Sequence, residues 1–344
     1  MKRVAVLGHF DIGKNMVCGQ TIKTKILGSE LKKMLGDDNV VFYDTAGGWK
    51  FILSLPFLLV KMLWGCENVI LLPAYKAVYI LVPAITMLNL FFHRRIHYAV
   101  IGGRLPSLVQ RFPWLKFFLR ELYQIYPETQ MILDGLKRER IENAVVMPNF
   151  KPLDIIAEDD LQNFEEPPFP LCTFSRVEST KGIEDAINAV RACNQKVGRV
   201  VFTLDIYGRI QDETWFNTLM QGQPDEIRYG GVVPFDQSTE ILSRYFVLLF
   251  PTYYVGEGFA GTLIDAFAAG VPAIASDWNS NPEIVEQGKS GFLYTARSVE
   301  ELTELLVSIS IKPDVVNSMR QYCIQKALQY QPSIAMAPLI ERLA

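Results

Sequence analysis

Residues 256 to 272 read Gly-Glu-Gly-Phe-Ala-Gly-Thr-Leu-Ile-Asp-Ala-Phe-Ala-Ala-Gly-Val-Pro, so two carboxylates, Glu257 and Asp265, flank a cluster of small residues. An apolar run ends at Phe250, and helical periodicity opens near Thr262 and closes at Gly270. The segment predicts a strand, a glycine-rich loop and a helix, with Glu257 in the loop and Asp265 in the first helical turn. The amides of Gly261 and Thr262 then stand at a helix N-terminus, where N–H groups lack intrahelical acceptors and attract anions. Acids beside such amides suit a ligand that carries both phosphates and hydroxyls. A nucleotide sugar fits, its diphosphate on the amides and its ribose and hexose hydroxyls on the carboxylates.

Upstream, residues 174 to 182 read Phe-Ser-Arg-Val-Glu-Ser-Thr-Lys-Gly. The pattern puts Arg176 at a strand end and Lys181 at the start of the next helix. Two cations at one sheet edge would neutralise a diphosphate leaving group as charge develops on it. Near the amino terminus, Gly8 to Asn15 follows a strand and matches GxxxxGK, but Asn15 stands where the phosphate loop of a nucleoside triphosphatase needs a Ser or Thr hydroxyl for Mg²⁺. That segment is read instead as a glycine-containing turn, Gly8 to Gly19, at the carboxyl edge of a sheet, where ligands of open α/β sheets sit.

Positioning these groups requires strands alternating with helices. In the first half, strands are expected at 3–7, 40–43, 69–72, 97–101 and 143–147, with helices at 20–35, 115–123 and 127–135. In the second half, strands at 171–175, 200–207, 247–250 and 272–275 alternate with helices at 182–192, 236–244, 262–269 and 299–309. Such alternation implies parallel sheets built from right-handed crossovers, twice over. The acidic, proline-rich stretch 151–170 is expected to be a linker between a first domain, 1–150, and a second, 171–330. The remaining segment, 331–344, is a candidate to return to the first domain. The expected fold class is α/β, two Rossmann-like domains facing a central cleft.

The 344 residues are 49% hydrophobic and 21% charged, with a net charge of −3. That excludes a mainly disordered chain and argues against a dedicated nucleic-acid binder. Five scattered cysteines without CxxC spacing support neither a disulfide framework nor a zinc site. The opening residues read as a first strand, not a signal peptide, so a cytoplasmic location is expected. Residues 49–64 and 69–92 are strongly apolar, and Pro73 and Pro83 divide the second stretch. It is expected to form a buried strand and then a buried or lipid-facing helix, with a bilayer span as the minor alternative. Nine Lys or Arg against four acids between Arg94 and Arg140, beside Trp114, Phe117 and Phe118, favour attraction to anionic lipid.

Several segments together resemble the family 4 (group 1) glycosyltransferases, retaining enzymes of the GT-B fold. The family pattern EGFG, a second acid eight positions on and A-x-G-x-P-V appears here as Glu257–Phe259, Asp265 and Ala269-Gly270-Val271-Pro272. Its G-R-L…K-G segment appears as Arg176…Lys181-Gly182, and its P-E-I-V…G-x-x-G-x-L as Pro282–Val285, then Gly288, Gly291 and Leu293. The match covers residues 171 to about 330 and is weaker over 1–150, where Val146-Met147-Pro148-Asn149 resembles V-x-P-N. The opening GKNMVCGQTIKTK and the later HYAVIGGR look most like capsule or exopolysaccharide members.

This resemblance implies that Arg176 and Lys181 hold the donor diphosphate, helped by the amides of Gly261 and Thr262. Glu257 contacts hydroxyls of the transferred sugar, Asp265 holds the ribose, and Gly258 and Phe259 complete the donor loop. The loop around Gly13 and Gly19 closes over the diphosphate. The donor is a UDP- or GDP-sugar and no metal or other cofactor is required. Apart from the resemblance, the acceptor is expected on the first domain, 1–150, whose apolar and basic surface suits a saccharide, lipid-linked at the inner membrane face, with the protein peripheral there and the nucleotide sugar on the second domain.

Two departures stand out: the second acid is Asp265 where Glu is usual, and Gly102-Gly103 stands where many members carry a His. Among His9, His93 and His97, His9 sits best for chemistry, and each is read as structural. Without a side-chain base, the donor phosphate itself takes the acceptor's proton in a same-face substitution. A GT-B nucleotide-sugar epimerase and a nonenzymatic nucleotide-sugar-binding scaffold remain as alternatives.

Overall fold

The computed structural model describes residues 4–10, 19–45 and 48–343, with backbone only for 19–20 and 48–53. The chain forms two units, Met1–Pro152 with Pro332–Ala344, and Leu153–Gln331. The first unit holds a five-stranded sheet of β1 (Val4–Gly8), β2 (Val40–Asp44), β3 (Asn68–Leu72), β4 (Arg95–Ala99) and β5 (Gln124–Tyr126). Their order is β2-β1-β3-β4-β5, all parallel. The second unit holds β6 (Phe169–Phe174), β7 (Phe202–Tyr207), β8 (Ile227–Gly231), β9 (Val247–Phe250), β10 (Ala273–Ser276) and β11 (Gly291–Tyr294). These run parallel in the order β11-β10-β9-β6-β7-β8. Central strands such as β1, β3 and β9 are buried at every residue. Parallel sheets covered by helices on both faces demand such continuous apolar runs.

The second sheet explains where its ligand edge lies. From β6 the chain moves outward through β7 and β8, then returns to β9 on the other side of β6 and continues to β10 and β11. The reversal leaves a switch point between the carboxyl ends of β6 and β9, the position at which open α/β sheets leave a crevice.

Three expectations need correction. The stretch expected as a linker, 151–170, is packed onto the second unit from Leu153 onward. Leu153 and Ile155 join the core around the helix Gly261–Ala268, and the Ile156 N–H donates to the Ala268 carbonyl at 3.0 Å. Phe164 stacks edge-on against Phe246 and is held by both amide atoms of Asn317. Acidic and proline-rich neighbours hide these spaced apolar anchors in the sequence.

The segment 143–147 is not a strand but makes one isolated bridge, Ala144 to Ile125. Its partner β5 is only three residues long, and Pro148 supplies no N–H to continue a ladder. β5 itself begins soon after the helix Leu115–Arg120, which stops short of the expected end at residue 123. The segment Pro332–Ala344 packs Ala335, Met336 and Leu339 into the first unit's core beside Val4, Val6 and Leu27.

His97 lies buried in β4, its Nδ1 2.9 Å from the Tyr126 hydroxyl and its Nε2 3.2 Å from Asn68 Oδ1. Burial, with Arg95 and Arg342 adding repulsion, pushes its pKa down to about 3. The folded chain therefore keeps His97 neutral, while the unfolded chain takes up a proton below its ordinary value near 6.5. Stability is lost as pH falls through that window, by about 2 kcal/mol at pH 5. His97→Gln flattens the dependence of melting temperature on pH between 6.5 and 4; an unchanged profile would show that another group sets it.

Candidate functional site

Of the residues singled out in the second half, Arg176, Lys181 and Glu257 meet at the switch point of the second unit. The loop leaving β6 carries Arg176 and ends in a short turn, Ser179–Lys181, before the helix Ile183–Val197. The loop leaving β9 carries Thr252, Tyr254 and Glu257 before the helix Gly261–Ala268. Gly182 lets the two loops touch. It has φ +71°, and a Cβ placed there would fall 2.1 Å from the Pro251 carbonyl oxygen. A further tie runs from the Tyr253 N–H to the Thr180 carbonyl at 2.9 Å.

This close passage puts the Lys181 ammonium in a buried ion pair with the Glu257 carboxylate. Thr252 Oγ1 donates to the same oxygen, Glu257 Oε2, at 2.8 Å. A buried pair costs desolvation and is held by good geometry and added hydrogen bonds, which Thr252 supplies. Both cations converge on one ring, with Lys181 Nζ 5.0 Å and the Arg176 guanidinium 5.2 Å from the centroid of Tyr254. The negative face of that ring attracts each of them. Arg176 is half exposed, its Nη1 3.4 Å from Glu178, so it keeps donors toward solvent that a phosphate can use.

Thr262 Oγ1 donates to the Phe174 carbonyl at 2.8 Å, which pins the N-terminus of the helix Gly261–Ala268 to the end of β6. The Gly261 and Thr262 amides occupy that first turn. Gly258 is buried, and Phe259 packs edge-on against Tyr330. The helix opens at Gly261, one residue earlier than expected, so Asp265 lies in its second turn and not its first. Asp265 is buried there.

Gly13 lies outside the described residues, as does the rest of segment 11–18; Gly19 opens the helix Gly19–Leu35 in the first unit.

Sequence reasoning passed over Thr252 and Tyr254, the second of which is fixed by the loop after β10. Trp278 Nε1 donates to the Tyr254 carbonyl at 2.9 Å, and Asn279 Nδ2 donates to the Glu257 carbonyl at 3.2 Å. A positive φ of 49° at Asn279 fits a residue type that tolerates that region. The only signal for Thr252 and Tyr254 in the sequence was position, just past the buried strand β9.

In the first unit, the buried Lys23 pairs with Glu128 and donates to the Val100 carbonyl at 3.1 Å. Glu128 Oε2 accepts the Gly102 N–H at 3.1 Å. Gly102-Gly103, where the resembling family often has His, is thus a loop held by a carboxylate behind it.

Known proteins share parts of this sequence and its fold. The sequence model described as "Glycosyl transferases group 1" matches residues 156–329. The chain is 25% identical over 185 residues to the amylovoran biosynthesis glycosyltransferase AmsK of Erwinia amylovora, covering 52% of this chain and 46% of that protein. It is 28% identical over 169 residues to the putative colanic acid biosynthesis glycosyltransferase WcaL of Salmonella typhimurium, covering 47% and 41% respectively. The matches thus span less than half the length of either relative. Among solved structures, Anabaena Alr3699/HepE in complex with UDP superposes with a TM-score of 0.76 at 15% identity, covering 99% of both chains. Sucrose-phosphate synthase of Thermosynechococcus elongatus gives 0.78 at 16% identity, covering 100% of this chain and 99% of that one. Two parallel-sheet α/β domains of the GT-B kind are therefore the fold of this chain.

Proposed function

The chain belongs to the group 1 glycosyl transferases, and from that premise we propose that it moves a sugar from a nucleoside-diphosphate sugar, UDP-linked, onto a saccharide acceptor during polysaccharide synthesis. The acceptor is lipid-linked. The observation that carries the donor half is the convergence of Arg176, Lys181 and Glu257 on one edge, beside the first turn of the helix Gly261–Ala268. The names of AmsK and WcaL, and the UDP held by HepE, support the reaction class and the nucleotide.

In the proposed reaction Arg176, Lys181 and the Gly261 and Thr262 amides hold the diphosphate. Glu257 Oε2 stays with Lys181 and Thr252, while Oε1 takes the sugar hydroxyls. Asp265 serves the ribose. The bond from the anomeric carbon to the diphosphate oxygen breaks, and charge on the leaving oxygen grows against the two cations. The acceptor hydroxyl bonds to the anomeric carbon on the same face, its proton passes to the departing phosphate oxygen, and configuration is retained. Charge on the diphosphate is met by side chains and needs no divalent metal.

Thermal shift with UDP, GDP, ADP and CDP, each with Mg²⁺ and with EDTA, tests the donor assignment. UDP raises the melting temperature equally in both, since ligand at 100 times its Kd stabilises by about 2.7 kcal/mol. A shift that requires Mg²⁺, or none with any nucleotide, would overturn it.

A further inference from the structure

The first unit carries an apolar face that its own core does not use. The helix Val78–Phe92 bridges β3 and β4 and buries Val78, Leu81, Val82 and Ile85 against the sheet. Its other side exposes Ile80, Met87, Leu90 and Phe91, at 57%, 58%, 67% and 81%. The helices Gly48–Gly65 and Leu115–Arg120 pack beside it, and they expose Phe57 and Trp64 at 75% and 77%, and Phe117 at 62%. Trp64 meets Phe92 edge-on at 6.3 Å. A depression of about 340 Å³ lies between Met87, Leu90, Phe117 and Phe118.

The segment Tyr75–Phe92 is long and apolar enough to cross a bilayer, yet only 28% of it is buried. Its two ends join adjacent parallel strands of one sheet, and its inner side is committed to that sheet. Lipid can therefore reach one side of the helix and not the whole of it, which excludes a span and leaves contact parallel to a surface.

Charge decides the occupant. From residue 48 to residue 121 the chain carries nine Lys or Arg and two acids, Glu67 and Glu121. Lys61, Lys76 and Arg111 are exposed, and Lys116 is half-buried between exposed Trp114 and Phe117. A second copy docked on this face would bring like charges together. An anionic bilayer complements them, with aliphatic and phenyl groups below the headgroups, Trp64 and Trp114 at their level, and lysines against the phosphates.

We propose that the face made by these three helices docks the protein, without spanning, on an anionic lipid surface. The first unit alone carries this inference, whatever the second unit binds.

Sedimentation of the full chain with vesicles of phosphatidylcholine containing 30% phosphatidylglycerol, against pure phosphatidylcholine, tests it. The protein pellets with the anionic vesicles, and 0.5 M NaCl weakens the partition. Phe57→Ser/Phe91→Ser/Phe117→Ser lowers it by about 100-fold, and Lys61→Glu/Lys116→Glu by about 10-fold or more. Circular dichroism melts and UDP-induced thermal shifts of both variants equal to wild type show that the fold and the donor site are untouched. Equal binding to both vesicle types overturns the charge assignment. Vesicle binding that neither variant weakens, or no vesicle binding together with a dimer in light scattering that the triple variant abolishes, overturns the docking face itself.

Discussion

Lys181→Met lowers sugar transfer at least 100-fold, and it lowers stability as well. The two losses have different causes and can be separated. In the proposed reaction, removing the ammonium takes one charge-assisted contact from the donor diphosphate, worth about 1.5–3 kcal/mol in binding and more as charge develops in the transition state. It also strands Glu257, whose side chain is 11% exposed, and an uncompensated buried charge costs about 3–5 kcal/mol. Lys181→Met/Glu257→Gln removes both charges, so most of the stability returns while transfer stays lost. Urea denaturation and turnover of radiolabelled donor measure the two quantities. A single variant that turns over at the wild-type rate would remove Lys181 from the reaction.

The second large effect comes from a residue with no chemistry of its own. Gly182→Ala asks an L-residue to hold φ +71° and places a Cβ 2.1 Å from the Pro251 carbonyl oxygen. The left-handed backbone alone costs about 1–2 kcal/mol. Relief of the clash requires the loop after β9 to move away, which pulls Glu257 from Lys181. Total destabilisation of about 3 kcal/mol or more is expected, with loss of UDP-induced stabilisation in whatever remains folded. Gly198→Ala is the matched control, with φ +76° and open space where the Cβ would go; it costs only the backbone share, about 1–2 kcal/mol. Equal effects at the two positions would mean that the approach of the loops does not matter.

Much of this was legible in the sequence because it was local. Buried parallel strands announce themselves as short apolar runs, and β1, β3, β9 and β10 do so. The glycine-rich loop and the helix after it followed from turn chemistry and periodicity. β8 escaped notice because four of its five residues lie partly or fully in solvent, which leaves no apolar signal to read.

The pairing of Lys181 with Glu257 spans 76 positions and depends on strand order, which periodicity does not encode. Tyr254 went unseen for the same reason: its value lies in being where two distant cations meet. The burial of Lys23 against Glu128 is hidden in the same way, since the two lie 105 positions apart. Asp265 was displaced by a boundary error of a single residue at the helix start, enough to move it into the second turn.

Calorimetric titration of UDP, in EDTA, into the wild-type chain and into Lys181→Met/Glu257→Gln tests most directly whether this edge grips a diphosphate. Binding to the wild type, weakened by about 10-fold or more in the folded double variant, is the expected result. Equal affinity for both proteins would place the nucleotide elsewhere and leave the ion pair as a structural feature of the second unit.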